Sequence, residues 1–201
     1  MTNGSFKKKF TRALGEGRYR KIFILSVEGI KTEHLYFARF NNENSVVRLK
    51  CLKGKHDSSP PHVLARMESY LKEEGLKASD EAWLVVDKDQ WTEEQLSLLY
   101  QWSLRAANYG FALSNPKFKF WLLLHFEDGN GVSSSNICTQ KLERYLPGYD
   151  KGIDSRKISD TMVVAAVKRA RQRDNPPCVD WPHTTGTTVY KLVESIQKPI
   201  T

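Results

Sequence analysis

The chain has 201 residues, 40% of them hydrophobic, with five Trp; that is enough for one domain with a full core and too apolar for a disordered chain. Its formal net charge is +8, but seven cations against Glu16 alone fall within residues 1–21, so the remainder carries only +2. No apolar run approaches the roughly 20 residues of a membrane span, the basic N-terminus lacks the apolar stretch of a secretory signal, and Cys51, Cys138 and Cys178 are scattered without CxxC spacing, which favours free thiols in a reducing cytoplasm over a zinc site.

Residues 1–19 read as a loosely docked basic arm and residues 20–201 as a single domain. The first predicted strand is the apolar run Lys21 to Val27, ending at Glu28-Gly29. A helix follows from Lys31 to Asn41, with Leu35, Tyr36, Phe37 and Phe40 as its core-facing stripe. Val46 to Leu52 reads as a second strand. Ser58 or Ser59, with Pro60 and Pro61, opens a helix that runs to about Glu74 and stops at Gly75. The third strand, Ala82 to Val86, ends on Asp87-Lys-Asp89. Thr92 caps a helix continuing to about Asn108, with a stripe of Leu96, Leu99, Trp102 and Leu104 and a stop at Gly110. Phe111 to Ser114 is a short fourth strand. Phe118 to Phe126 reads as a buried helix broken by Asp128-Gly-Asn-Gly131, and only helical patterns follow, at about 136–145, 156–173 and 188–197. Strands alternating with helices predict an α/β fold with a mostly parallel central sheet flanked by helices and a helical C-terminal part.

In a parallel sheet the C-terminal strand ends share one rim, where such folds place their ligands. Glu28, Asp87 and Asp89 are predicted at that rim. Gathered carboxylates repel one another unless a proton or cation joins them, and Asp-x-Asp in extended geometry presents both carboxylates to one side. Hard oxygen ligands suit Mg²⁺ or Mn²⁺, held as one ion or as two about 4 Å apart in phosphoryl transfer. Glu33, in the first turn of the next helix, either serves the helix dipole or reaches the same ion. Lys55 and His56, after the second strand, could contact phosphate or carry a proton; an exposed charged turn explains them equally. Asn115 could orient a water or form an Asx turn. His125 and Glu127 are weaker candidates, because a histidine on an apolar helix is usually structural. Two basic clusters, Lys7, Lys8, Lys9 and Arg12 in the arm and Lys168, Arg169, Arg171 and Arg173 near the C-terminus, suit nucleic acid or are solvated faces. There is no phosphate-binding loop for ATP, no nucleophile elbow and no HExxH.

Four motifs in order carry a family resemblance: Val27-Glu28-Gly29-Ile-Lys-Thr32-Glu33 with Tyr36-Phe37; Gly54-Lys-His56-Asp57-Ser58-Ser59-Pro60; Val86-Asp87-Lys-Asp89; and Leu113-Ser114-Asn115-Pro116 with Trp121-Leu-Leu-Leu-His125-Phe126. Over residues 20–127 the chain resembles the RloB family, with the C-terminal helices fitting more loosely. The resemblance implies a Toprim-like (Rossmann-like) fold, Glu28 as general acid/base or metal-supporting residue, and Asp87 and Asp89 as magnesium ligands. It also implies a bacterial anti-phage setting with a partner ATPase. Lys119 departs from the family, where glutamate usually stands. The leading expectation is a Mg²⁺- or Mn²⁺-dependent nuclease acting on RNA or DNA as a defence effector. The alternative is a non-catalytic effector or regulatory subunit that binds nucleic acid or the ATPase. A third reading, an Asp-x-Asp phosphatase, fits poorly because the motif lies on the third strand with Trp91 in the position those enzymes give to Thr or Val. The oligomeric state is left open, a homo-oligomer included, and no membrane partner is expected.

Overall fold

A computed structural model describes residues 21–42, 45–54, 59–89, 91–149, 153–154 and 157–199. The β-branched and aromatic runs form the central strands, β1 (Lys21–Val27), β2 (Val47–Leu52), β3 (Glu81–Asp87) and β4 (Tyr109–Asn115). They pair in parallel in the order β2-β1-β3-β4. A two-residue strand, β5 (Gly186–Thr187), adds antiparallel to the end of β4. It is too short to leave a periodic signal in the sequence.

Period-2 alternation sends the strand residues into two cores. Phe23, Leu25, Val27 and Val85 face one side; Ile24, Leu84 and Val86 face the other. The second side is covered by α2 (Pro60–Glu74) and α3 (Glu93–Ser103), through Val63, Met67, Leu96, Leu99 and Trp102. The first is covered by α1 (Thr32–Ala38), α4 (Phe118–Leu123), α5 (Ser135–Tyr145), α6 (Asp160–Arg173) and α7 (Val189–Gln197). The architecture is therefore the expected mixed α/β sheet, with its C-terminal helices packed on one face.

Local chemistry sets the element ends. Thr92 opens α3 with a reciprocal capping box to Gln95. Ser59 precedes the two prolines of α2, but its hydroxyl meets His62 instead of a backbone N–H. The expected stop at Gly110 is corrected: α3 ends at Ser103, and Gly110 lies within β4. A Cβ there would fall 2.3 Å from the Trp83 ring on the neighbouring strand, so glycine makes room for tryptophan. Leu35 and Leu104, expected in core stripes, are 37% and 61% exposed. Leu104 is the C-cap residue of α3, past the helix's buried face. Among the described residues, no helix is long and apolar enough to cross a membrane.

Candidate functional site

Four parallel strands deliver their C-terminal ends to one rim, and Glu28 and Asp87 meet there. Glu28 leaves β1 with its N–H bonded to the Val85 carbonyl, 3.0 Å. Its carboxylate turns toward β3, where Oε2 accepts the Asp87 N–H at 3.0 Å and Oε1 accepts the Trp91 indole N–H at 3.1 Å. Asp87 Oδ1 in turn accepts the Phe118 N–H at 2.7 Å. The ends of β1 and β3 and the start of α4 are thus tied through one residue.

Glu33, in the first turn of α1, folds back over Gly29 and is 6% exposed. A Cβ on residue 29 would sit 1.8 Å from Glu33 Oε2, so any larger residue there would displace that carboxylate from its present place. Glu28, Glu33 and Asp87 line one cavity of about 370 Å³ with Gly29, Lys31, Lys117, Phe118 and Lys119. Burial raises Glu28 above the usual carboxylate range, and Asp89 adds to the rise; the Asp87 and Trp91 N–H groups and Lys117 oppose it. Burial, with Glu28 nearby, pushes Glu33 up to about 7. Asp87 is held well above its usual range by burial and by Glu33 and Glu28. Like charges are crowded here in a poorly solvated place, the condition that a proton or a cation relieves.

Asp89 does not continue the strand. Its φ is +28°, its N–H bonds the Pro116 carbonyl at 3.0 Å, and its side chain is exposed. The extended Asp-x-Asp geometry is therefore corrected. Asp89 acts electrostatically on Glu28 but does not line the cavity. The donor set fits a hard cation in kind, because all three acidic groups lining the cavity are carboxylates. Among the described residues, no group of three His, Cys, Asp or Glu side chains stands arranged to hold a metal ion.

The remaining candidates are dispersed. Lys55, His56 and the arm residues Lys7, Lys8, Lys9 and Arg12 lie outside the described residues. Asn115 donates to the Pro182 carbonyl at 3.0 Å, fastening the chain before β5. His125 is buried: Nδ1 donates to the Trp121 carbonyl at 3.0 Å and Nε2 meets the Tyr36 hydroxyl at 3.2 Å. Burial brings its pKa down to about 4, so it is neutral and structural in its surroundings. Glu127 accepts from Lys141 at 2.7 Å and Tyr145 at 3.1 Å, away from the cavity. Arg169 donates to the Leu124 carbonyl, Arg171 pairs with Glu194, and Arg173 bonds the Asp128 carbonyl and Asn130. Lys168 alone of that cluster is exposed without such a contact.

The sequence reading missed the cations nearest the carboxylates. Lys117 precedes α4 and acts on both Glu28 and Asp87. Lys119, noted only as a departure, lines the same cavity. On the neighbouring strand end, Arg66 donates to the Val27 and Leu52 carbonyls, at 3.0 and 3.2 Å, and faces His34 together with Lys53. A larger cavity, about 650 Å³, lies at the opposite end of β1 and β2 beside Ile22, Tyr70 and Asp80. Its Asp80 is used structurally, accepting from the Ile22 N–H and the Ser79 hydroxyl.

Fold and site together define an α/β protein with a buried carboxylate cluster at the C-terminal rim of a parallel sheet. The chain belongs to the family of RloB-like proteins, whose model matches residues 23–196. Comparison with curated proteins and with solved structures gives no match.

Proposed function

We propose that the protein is a divalent-cation-dependent phosphodiesterase acting on nucleic acid, with a Toprim-like centre. The observation that carries this reading is the convergence of Glu28, Glu33 and Asp87 in one cavity, each with a raised pKa. These three residues, which are not arranged around an ion as they stand, would have to draw together to hold Mg²⁺ or Mn²⁺, which when bound supplies positive charge for the phosphoryl oxygens. Glu28 is oriented by two N–H donors, from Asp87 and Trp91. Its raised affinity for a proton suits a group that takes one from water or gives one to the leaving oxygen near neutral pH. Asp89, exposed and electrostatically felt by Glu28, does not line the cavity with those three residues. Family membership supports the further reading of an anti-phage effector working with an ATPase.

The test is incubation with labelled RNA and DNA in Mg²⁺ or Mn²⁺. Wild type should cleave one of them, and Asp87→Ala and Glu28→Gln should lower the rate at least a hundredfold. No cleavage by wild type, or equal cleavage by Asp87→Ala, overturns the assignment. A second reading, a non-catalytic effector that binds nucleic acid or the ATPase, is favoured by Lys119 in the cavity wall. Intact nucleic-acid or partner binding with no uptake of Mn²⁺ in calorimetry would select it.

A further inference from the structure

The 370 Å³ cavity is lined by charges of both signs: Glu28, Glu33 and Asp87 among the acids, and Lys31, Lys117 and Lys119 among the bases, the last two flanking Phe118. Lys117 is half-buried and its ammonium makes no hydrogen bond or ion pair among the described residues, although it acts electrostatically on Glu28 and Asp87. Lys119 is steadied from the side: its ammonium lies 4.6 Å from the centroid of the Tyr149 ring and 3.4 Å from Thr139 Oγ1. Neither contact uses a carboxylate, so the charge on Lys119 is positioned without being neutralised.

Resting on the phosphodiesterase reading, we propose that Lys117 and Lys119 hold the scissile phosphodiester, and that the cavity takes one divalent ion, not two. Two ammonium groups in the wall repel a second divalent ion at close range. They also supply, as fixed charge, what that second ion supplies in two-metal sites: countercharge for the phosphoryl oxygens. A phosphodiester seated in the cavity would meet the ion at the carboxylates and the ammonium donors of Lys117 and Lys119. Charge-assisted hydrogen bonds of that kind set substrate affinity and position together.

The experiment uses the full chain with a phosphorothioate dinucleotide, titrated in Ca²⁺ and followed by phosphorus NMR. Mn²⁺ uptake is measured separately by calorimetry. Lys117→Met with Lys119→Met should weaken dinucleotide binding at least about tenfold. The same variant should keep or tighten Mn²⁺ binding, while Lys117→Arg with Lys119→Arg should restore part of the dinucleotide affinity. Wild type should bind one Mn²⁺ per chain. Unchanged dinucleotide affinity in the folded Met variant overturns the lysine assignment alone, even if wild type cleaves nucleic acid. Two Mn²⁺ per chain overturns the single-ion arrangement. Absence of Mn²⁺ uptake by wild type removes the phosphodiesterase reading and this inference with it.

Discussion

Glu33 is where the fold's chemistry is most exposed to pH. Its pKa is about 7 in the folded chain against 4.5 for the free side chain, the difference coming first from burial. Folding therefore gains from its retained proton below about pH 4.5 and loses that gain as pH rises through 7. Glu33→Gln removes the ionisation, so the metal-free variant should be more stable than wild type by about 3 kcal/mol at pH 8. The gap should shrink toward pH 5, as thermal melts at the two pH values would show; a constant gap would mean that Glu33 ionises normally. His125 works in the opposite sense. Its pKa, about 4 in the fold against 6.5, stabilises above pH 6.5 and is lost as pH falls through 4. His125→Leu leaves the Tyr36 hydroxyl and the Trp121 carbonyl short of a partner, and should cost about 1–3 kcal/mol at pH 7. Its deficit should narrow at pH 5, read by urea unfolding at both pH values. At this scale Glu28 and Asp87 were legible, because an apolar strand that stops on a carboxylate names its own end. Asp89 was legible as a residue but not as a geometry, since a φ of +28° leaves no trace in the order Asp-Lys-Asp.

Elements were read well where they are long and periodic. The four parallel strands and the seven helices found among the described residues all fall on stretches whose apolar spacing announces them. Errors gathered where a tertiary neighbour decides. Gly110 looks like a helix stop in isolation, yet its lack of a side chain answers to Trp83, the residue beside it in β3. Gly110→Ala should therefore destabilise by about 1–3 kcal/mol through overpacking. The loss should be smaller in a Trp83→Leu background, and a double-mutant cycle in denaturant measures the difference. If Gly110→Ala cost the same in both backgrounds, the clash with the indole would not be its cause. The basic stretch on α6 shows the reverse error. Arg169 and Arg173 look free in sequence, but they satisfy carbonyls at the end of α4 and just beyond it. Side-chain donors meeting the unpaired carbonyls of a helix end are a structural use that spacing alone does not reveal.

At the level of the whole molecule, the parallel sheet gathers at one edge what the chain separates by 59 residues, the distance from Glu28 to Asp87. That gathering was legible from strand order alone. The lysines of the same cavity were not, because Lys117 and Lys119 belong to a turn and helix that no strand rule places. A centre built on crowded carboxylates should be stabilised by the cation it prefers. Under the proposed function, Mn²⁺ should raise the melting temperature by mass action. The rise should be larger at pH 8 than at pH 6, because protons compete for the same oxygens. A shift independent of pH, or one that survives in Asp87→Ala, would place the ion elsewhere. The bonding of Asp87 has one more consequence. Its own amide is held by Glu28 while its carboxylate holds the amide of Phe118, so two strand tips and a helix start open or stay shut as a unit. In deuterated solvent those two amide protons should be lost at a common rate, and Glu28→Gln, by loosening the first clasp, should hasten the second, at the start of α4.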